Sequence, residues 1–173
     1  MKALVVYESM YSYTRQVAEA IAEGLGAAAL PVAAATADRL ADVDLVVIGA
    51  PTHVHGMSRP TTRQAAADAA GKPDSALHVE RDATSSGVRE WLAEHAGKVR
   101  LAAAFDTRVD MPAIVSGQAS LHIARALRRR NATLAARPES FLVTKQNCLL
   151  AGEQDRARRW GRDLAGRGAA QLA

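Results

Sequence analysis

KALVVYESMYSYTRQVAEAIAEGL, residues 2–25, is the stretch that decides the fold class. Lys2–Tyr7 opens it with the contiguous apolar run Ala3, Leu4, Val5 and Val6, which reads as a buried strand. Tyr13–Leu25 then takes helical spacing, with Val17, Ala18, Ile21 and Leu25 on one face and Gly26 as a stop. A strand that passes through a short loop into a helix is the opening of a βαβ unit, and the rest of the chain continues the alternation.

Leu30–Ala35 reads as a weaker strand. DLVVIGA, residues 44–50, is the strongest strand and is apolar on both faces, as in a parallel sheet covered on both sides. Arg63–Ala70 is a short helix. Ser86 is placed as the cap of a helix whose Val88, Trp91 and Leu92 share a face. Val99–Phe105 is a fourth strand, Ser116 opens a helix to about Arg129 with Ile123, Ala124 and Leu127 inward, and Glu139–Val143 is a fifth strand. Gln154–Leu164 closes the series as a helix with Ala157, Trp160 and Leu164 on one side. Right-handed crossovers between such strands give an α/β three-layer sandwich, with a five-stranded parallel sheet in the order 2-1-3-4-5. Residues 1–173 are read as one domain.

Composition narrows the class further. Hydrophobic residues make up 49% and aromatic ones only 4%, so small side chains favour close helix–sheet packing over an aromatic-filled barrel. The single Cys148 excludes an intrachain disulfide and suits a reducing compartment. The first apolar run ends at Glu8, too short for a signal segment or a membrane span, so the expected location is cytoplasmic. Charge is uneven: residues 1–119 carry 11 basic and 14 acidic side chains, residues 120–173 carry 11 and 4. The excess includes Arg125, Arg128, Arg129, Arg130, Arg156, Arg158, Arg159 and Arg162. It is read as a solvated helix surface in preference to a face for nucleic acid or an acidic protein.

The loop Glu8–Thr14 carries the chemistry. Ser9, Ser12 and Thr14 offer hydroxyls, and successive backbone N–H groups are exposed where the helix begins. A phosphate accepts from such donors and sits at the positive end of the helix dipole. With Ser12 as N-cap, the residue three later is Arg15, so no capping box forms and a bound anion would supply the missing acceptor. No Lys or Arg lies between Glu8 and Thr14, unlike a nucleoside-triphosphate loop, and no G-x-G-x-x-G is present. The expected ligand is a mononucleotide phosphate held by neutral donors. The alternative is a hydroxyl-rich turn that caps the helix with nothing bound.

Two further loops should meet this one. In a 2-1-3-4-5 sheet the first and third strands flank the switch point, so the segment Gly49–Pro60 faces the first loop. Pro51, Gly56 and Pro60 restrict it, and His53, His55 and Met57 are candidates for contact with a flat ring. His53 and His55 form H-x-H without a nearby Cys or carboxylate, so polar loop histidines are preferred over metal ligands. The fourth strand ends at Phe105-Asp106-Thr107-Arg108, read as a loop in which Asp106 and Thr107 bond a ring edge, or Asp106 pairs with Arg108.

On these segments the chain resembles the flavodoxin family. The residues that carry the resemblance are 2–25 above, DLVVIGAPTHVHGMSRP (44–60) and AAAFDTR (102–108). The tail PESFLV (138–143) with GEQDRARRWGRDLA (152–165) is similar to a branch of small bacterial flavodoxin-like proteins. The resemblance implies a flavodoxin-like sheet, non-covalent FMN and electron transfer, with quinone reduction in some branches. The family loop S/T-x-T-G-x-T falls on Ser9–Thr14: Ser9 and Thr14 match, while Tyr11 stands for Thr, Ser12 for Gly and Tyr13 for Asn. The implied FMN contacts are Ser9, Met10, Tyr11, Ser12, Tyr13 and Thr14 at the phosphate. Pro51, Thr52, His53 and Val54 would wall the ring on one side, and Phe105, Asp106, Thr107 and Arg108 on the other. The stacking Trp and Tyr that the family often places in its second and third loops are replaced. No nucleophile or general base stands out. The expected function is an electron-carrying flavoprotein serving a redox partner protein or a small quinone-type acceptor. The alternatives are an FMN-dependent oxidoreductase of the quinone or protoporphyrinogen type, and a cofactor-free binding module.

Overall fold

The structure is a computed structural model that describes residues 1–73, 75 and 77–172. β1 (Ala3–Tyr7) leads into α1 (Tyr13–Leu25), which Gly26 ends in the left-handed conformation at φ 69°. β2 (Ala28–Pro31), a short α2 (Ala37–Leu40) and β3 (Leu45–Pro51) follow. α3 (Pro60–Ala70) and α4 (Val88–His95) precede β4 (Leu101–Val109). A short α5 (Ala113–Ser116), α6 (Ala119–Arg128), β5 (Thr133–Leu134), β6 (Glu139–Val143) and α7 (Glu153–Leu172) complete the chain.

All strands pair in parallel, in the order β2-β1-β3-β4. The place beyond β4 is shared: β5 pairs with its start at Leu101–Ala102, and β6 with its end from Phe105 to Val109. The sandwich order is therefore the expected 2-1-3-4-5, with the fifth strand in two segments. Pro138 lies in the gap, where it has no N–H to offer the ladder.

The alternation of side chains in the strands builds two cores. Val5, Tyr7, Val47, Ala103 and Phe105 face α1 and α7, while Leu4, Val6, Val46, Ile48, Ala102 and Ala104 face α4 and α6. α1 and α7 touch backbone to backbone. A Cβ on Gly161 would collide with the Ile21 carbonyl, and one on Gly24 with the Arg158 carbonyl. This close contact, with Leu164 and Gly168 buried, accompanies a helix that runs to Leu172, well past the expected end at Leu164.

Several expectations are corrected by tertiary contacts. The strand over Leu30–Ala35 is instead β2 followed by a 3₁₀ turn at Val32–Ala34, and the Trp91 indole donates to the Ala35 carbonyl at 2.7 Å. Ser86 is not the cap of α4. That place is taken by Gly87, whose N–H meets Glu90 Oε2 at 2.8 Å. The helix from Ser116 is divided: Ser116 ends α5, Gly117 takes φ 75° against the His55 backbone, and α6 begins at Ala119. The fourth strand does not stop at Phe105. Asp106, Thr107 and Arg108 stay in β4, where Asp106 is in register with Ala50 and Ser140.

Candidate functional site

Glu8 extends the β1–β3 pairing by donating its N–H to the Gly49 carbonyl at 3.0 Å, and the chain then leaves the sheet. Ser12 turns it back with φ 71° and ψ −15°, a left-handed conformation in which a Cβ is strained. The Ser12 carbonyl accepts the Gln16 N–H at 2.9 Å, while its hydroxyl makes no capping bond. Ser9 does part of that work: its Oγ accepts the Arg15 N–H at 3.3 Å. Among the described residues, no protein acceptor meets the N–H groups of residues 10–14. The first turn of α1 thus presents unsatisfied donors at the positive end of its dipole.

Facing this turn across the ends of β1, β3 and β4 is a crevice of about 280 Å³. Met10, Tyr11, Tyr13 and Thr14 line it from the first loop, and Pro51, Thr52, His53 and Val54 from the second. Thr107 and Arg108 line it from β4. Thr14 Oγ1 and Thr107 Oγ1 share a hydrogen bond of 2.7 Å, which fixes the helix start to the strand. The Tyr11 hydroxyl donates to the Ala66 carbonyl at 2.8 Å, and the Tyr13 hydroxyl to Cys148 Sγ at 3.6 Å.

Four of the expected residues lie elsewhere. Ser9 turns away toward Arg15 and Glu80, and the Ser12 side chain is not in the crevice wall. Phe105 is fully buried on the α1–α7 side, edge-on to Phe141 and Trp160. Asp106 is fully buried on the other side, where its Oδ2 accepts the Ser120 N–H at 2.8 Å. Thr52 Oγ1 accepts the adjacent Ala119 N–H at 3.0 Å, so these two side chains cap α6. Burial pushes the Asp106 carboxyl above its usual range, against the Ser120 and Ser140 hydrogen bonds and Arg108. Arg108 does not pair with Asp106: its Nη1 donates to the Met111 carbonyl at 2.6 Å and to Ser116 Oγ at 3.2 Å. Sequence reading missed Ala66, Val109, Val143 and Asn147 in the wall. Only Asn147, a residue tolerant of the left-handed conformation it adopts at φ 59°, carried any local signal, and that signal was for a turn.

The second loop closes as a two-residue hairpin turn. His53 and Gly56 exchange N–H···O bonds of 2.8 and 3.0 Å, with Val54 at φ 44° and His55 at φ 69°. Such turns normally hold Asn-Gly, and a β-branched residue at positive φ is strained. Val54 is nonetheless 80% exposed at the crevice rim. His53 faces the crevice, and burial, then the Arg63 charge, push its imidazole below the usual value, so it is neutral at neutral pH. His55 and Met57 lie outside the crevice wall.

A buried polar cluster supports this turn from beneath. Arg63 donates through Nη1 to Ser58 Oγ at 2.9 Å and to Glu90 Oε2 at 3.2 Å. Glu8 Oε2 accepts the Val88 N–H at 2.8 Å, so a residue at the end of β1 caps α4. Burial raises the Glu8 carboxyl, opposed by Ser58, the Val88 N–H and Arg63. Gly87 has no room for a Cβ, which would collide with Arg63 Nη1 and Glu8 Oε2.

The Arg-rich final third does not make one face. α6, with Arg125 and Arg128, packs on one side of the sheet, and α7 on the other. On α7, Arg156 pairs with Glu139 and Glu153 over the Phe141 ring, and Arg158 pairs with Glu23 and Asp155. Among the described residues, no helix is long and apolar enough to cross a membrane.

Comparison with known proteins agrees with this geometry. A family model described as a flavodoxin domain matches residues 4–67. A search of curated proteins finds no match. A flavodoxin from the domain Archaea superposes with a TM-score of 0.66 at 20% identity, covering 98% of this chain and 99% of that one. A WrbA-like flavodoxin from Agrobacterium tumefaciens gives 0.61 at 19% identity, covering 98% of each chain. Flavodoxin 1 from Bacillus cereus gives 0.65 at 15% identity, covering 96% of this chain and 98% of that one. Residues 4–67 therefore carry the flavodoxin-domain pattern, and the chain as a whole takes the flavodoxin fold.

Proposed function

We propose that this chain, acting as one cytoplasmic domain, binds FMN non-covalently and works as a redox protein. The observation that carries the reading is the first turn of α1. Among the described residues, the N–H groups of residues 10–14 have no protein acceptor, and they stand at the mouth of a crevice lined by Tyr11, Tyr13 and His53. These donors suit a phosphate dianion, and the Thr14–Thr107 bond holds their helix in place. Neutral donors suffice for a monoester, and no lysine is required.

FMN, when bound, supplies reversible one- and two-electron chemistry, which is the cofactor's own. The residues of this chain bind, orient and shield it. The main chain of residues 10–14 holds the phosphate. Tyr11 and Tyr13, each fixed through its hydroxyl, flank the crevice, and Pro51–Val54 wall it opposite Thr107. The neutral His53 imidazole stands ready to donate or accept one hydrogen bond at the ring edge. The partner is a redox protein or a small quinone-type acceptor. The second of these is favoured by the exposed Val54 rim, which leaves the ring side of the crevice open.

Adding FMN to the purified protein tests the reading. Visible flavin bands that remain with the protein after gel filtration, and a rise in melting temperature with FMN concentration, are expected, since a ligand of the native state must stabilise it. No bands and no shift at saturating FMN refute it. Turnover of a quinone with a nicotinamide donor, above the rate of free FMN, identifies an enzyme rather than a carrier.

A further inference from the structure

Behind the hairpin turn lies a second cleft, of about 420 Å³. His53, His55, Arg59, Thr61, Arg89 and His122 line it, and among the described residues no carboxylate does. The groups come from separate parts of the fold: the turn after β3, the starts of α3 and α4, and α6. Among the described residues, neither Arg59 nor Arg89 forms an ion pair. Arg89 is aimed by two carbonyls: its Nη2 donates to Met57 at 2.9 Å and its Nε to Ser58 at 3.0 Å, and among the described residues its Nη1 has no acceptor. The N-terminal turn of α3 also reaches the cleft, and there Thr62 Oγ1 accepts the Arg59 N–H at 2.8 Å. His122 stands opposite, with its Nε2 only 3.4 Å from where a Cβ on Gly56 would lie.

Two other arginines out of full solvent contact are neutralised, Arg63 by Glu90 and Arg156 by Glu139 and Glu153. Here two guanidinium groups converge with no carboxylate among the described lining residues, and the imidazoles add hydrogen-bonding nitrogens beside them. Such a concavity concentrates positive potential. Its planar guanidinium donors match an oxyanion. Among the described residues, no three His, Cys, Asp or Glu side chains are placed to share a metal ion, so the histidines are not a metal set. The cleft shares His53 and Val54 with the crevice above it.

We propose that this cleft is a subsite for the oxyanion group, carboxylate or phosphate, of a small-molecule substrate that meets the flavin held in the adjoining crevice. The place of the flavin rests on the FMN reading; the anion site itself does not. The test is therefore run without flavin. Histidine ring resonances are followed by NMR while the protein is titrated separately with benzoate, inorganic phosphate and, at matched ionic strength, chloride. Saturable movement of the His55 and His122 signals, with a Kd of about 1 mM, is expected for benzoate, phosphate or both, and the tighter of the two names the source of the oxyanion. Arg59 and His122 are exposed, so an Arg59→Gln/His122→Gln variant should keep the wild-type melting temperature. It should weaken the binding, read on His53 and His55, by about tenfold or more. Equal movement with chloride, absence of saturation, or unchanged affinity in the double variant overturns the proposal. FMN binding is measured apart by absorbance: anion binding without FMN binding leaves this subsite standing and removes the FMN reading, and the reverse removes the subsite alone.

Discussion

Ser12→Gly is the sharpest perturbation available, because the turn of the candidate phosphate loop bends at a residue with a Cβ. At φ 71° and ψ −15° the left-handed conformation costs an L-residue about 1–2 kcal/mol. Glycine removes that cost but gives the unfolded chain more freedom, worth about 0.5–1 kcal/mol in the opposite direction. The Ser12 hydroxyl makes no capping hydrogen bond, so little else is lost. The net expectation is a gain of about 0.5–1 kcal/mol, or roughly 1–4 °C in melting temperature for a chain of this size. Ser12→Ala is the control. It keeps the Cβ and therefore the strain, and it should sit within about 0.5 kcal/mol of wild type. Thermal unfolding followed by circular dichroism, with and without FMN, reads both effects. A glycine variant that melts lower than both wild type and Ser12→Ala refutes the strain at Ser12.

Val54→Gly makes the same case at the second turn, where a β-branched residue holds φ 44° while 80% exposed. Chemical denaturation should show it more stable by about 0.5–1 kcal/mol, since almost no apolar burial is lost. Gly161→Ala should be destabilising by about 1–3 kcal/mol, because its Cβ would force α7 away from the Ile21 carbonyl on α1; an unchanged urea midpoint would contradict the close helix contact. Glu8→Gln tests the buried cluster through pH. The folded-state carboxyl is raised above 4.5, so the stability tied to its protonated form is present below the unfolded value and lost as pH rises through the folded one. Wild type should therefore lose stability relative to Glu8→Gln as pH rises above the usual carboxylate range, and a difference independent of pH removes the assignment. Asp106→Asn, which keeps an acceptor for the Ser120 N–H, should show the same trend, since Asp106 is also raised by burial.

The nearest-neighbour pattern of residues 2–25 was enough to specify β1, the loop and α1 to the residue at the helix start and end, because helical period and a glycine stop are local properties. β3, the order of the sheet and the meeting of the first and second loops were likewise legible, since apolar runs on both faces require a covered parallel sheet and its switch point then follows. Asp106-Thr107-Arg108 was misread as a loop because the residues are polar, yet in β4 each pairs with a β6 residue far along the chain, Ser140, Phe141 and Leu142. The divided helix at Gly117 depends on the His55 backbone lying against it, and the turn at Ala35 is held by the Trp91 indole.

By itself, then, the amino-acid sequence determined the α/β frame and the hydroxyl-bearing turn at its first helix, because strand and helix periods are set by residues a few positions apart. Tertiary structure decided which of those side chains act where. It sent Ser9, Phe105 and Asp106 away from the crevice, brought Ala66, Val143 and Asn147 to it, and gathered Arg59, Arg89 and His122 beside it. Side-chain direction in a packed sheet and the closeness of distant segments are properties of the whole fold, and no local window of sequence contains them.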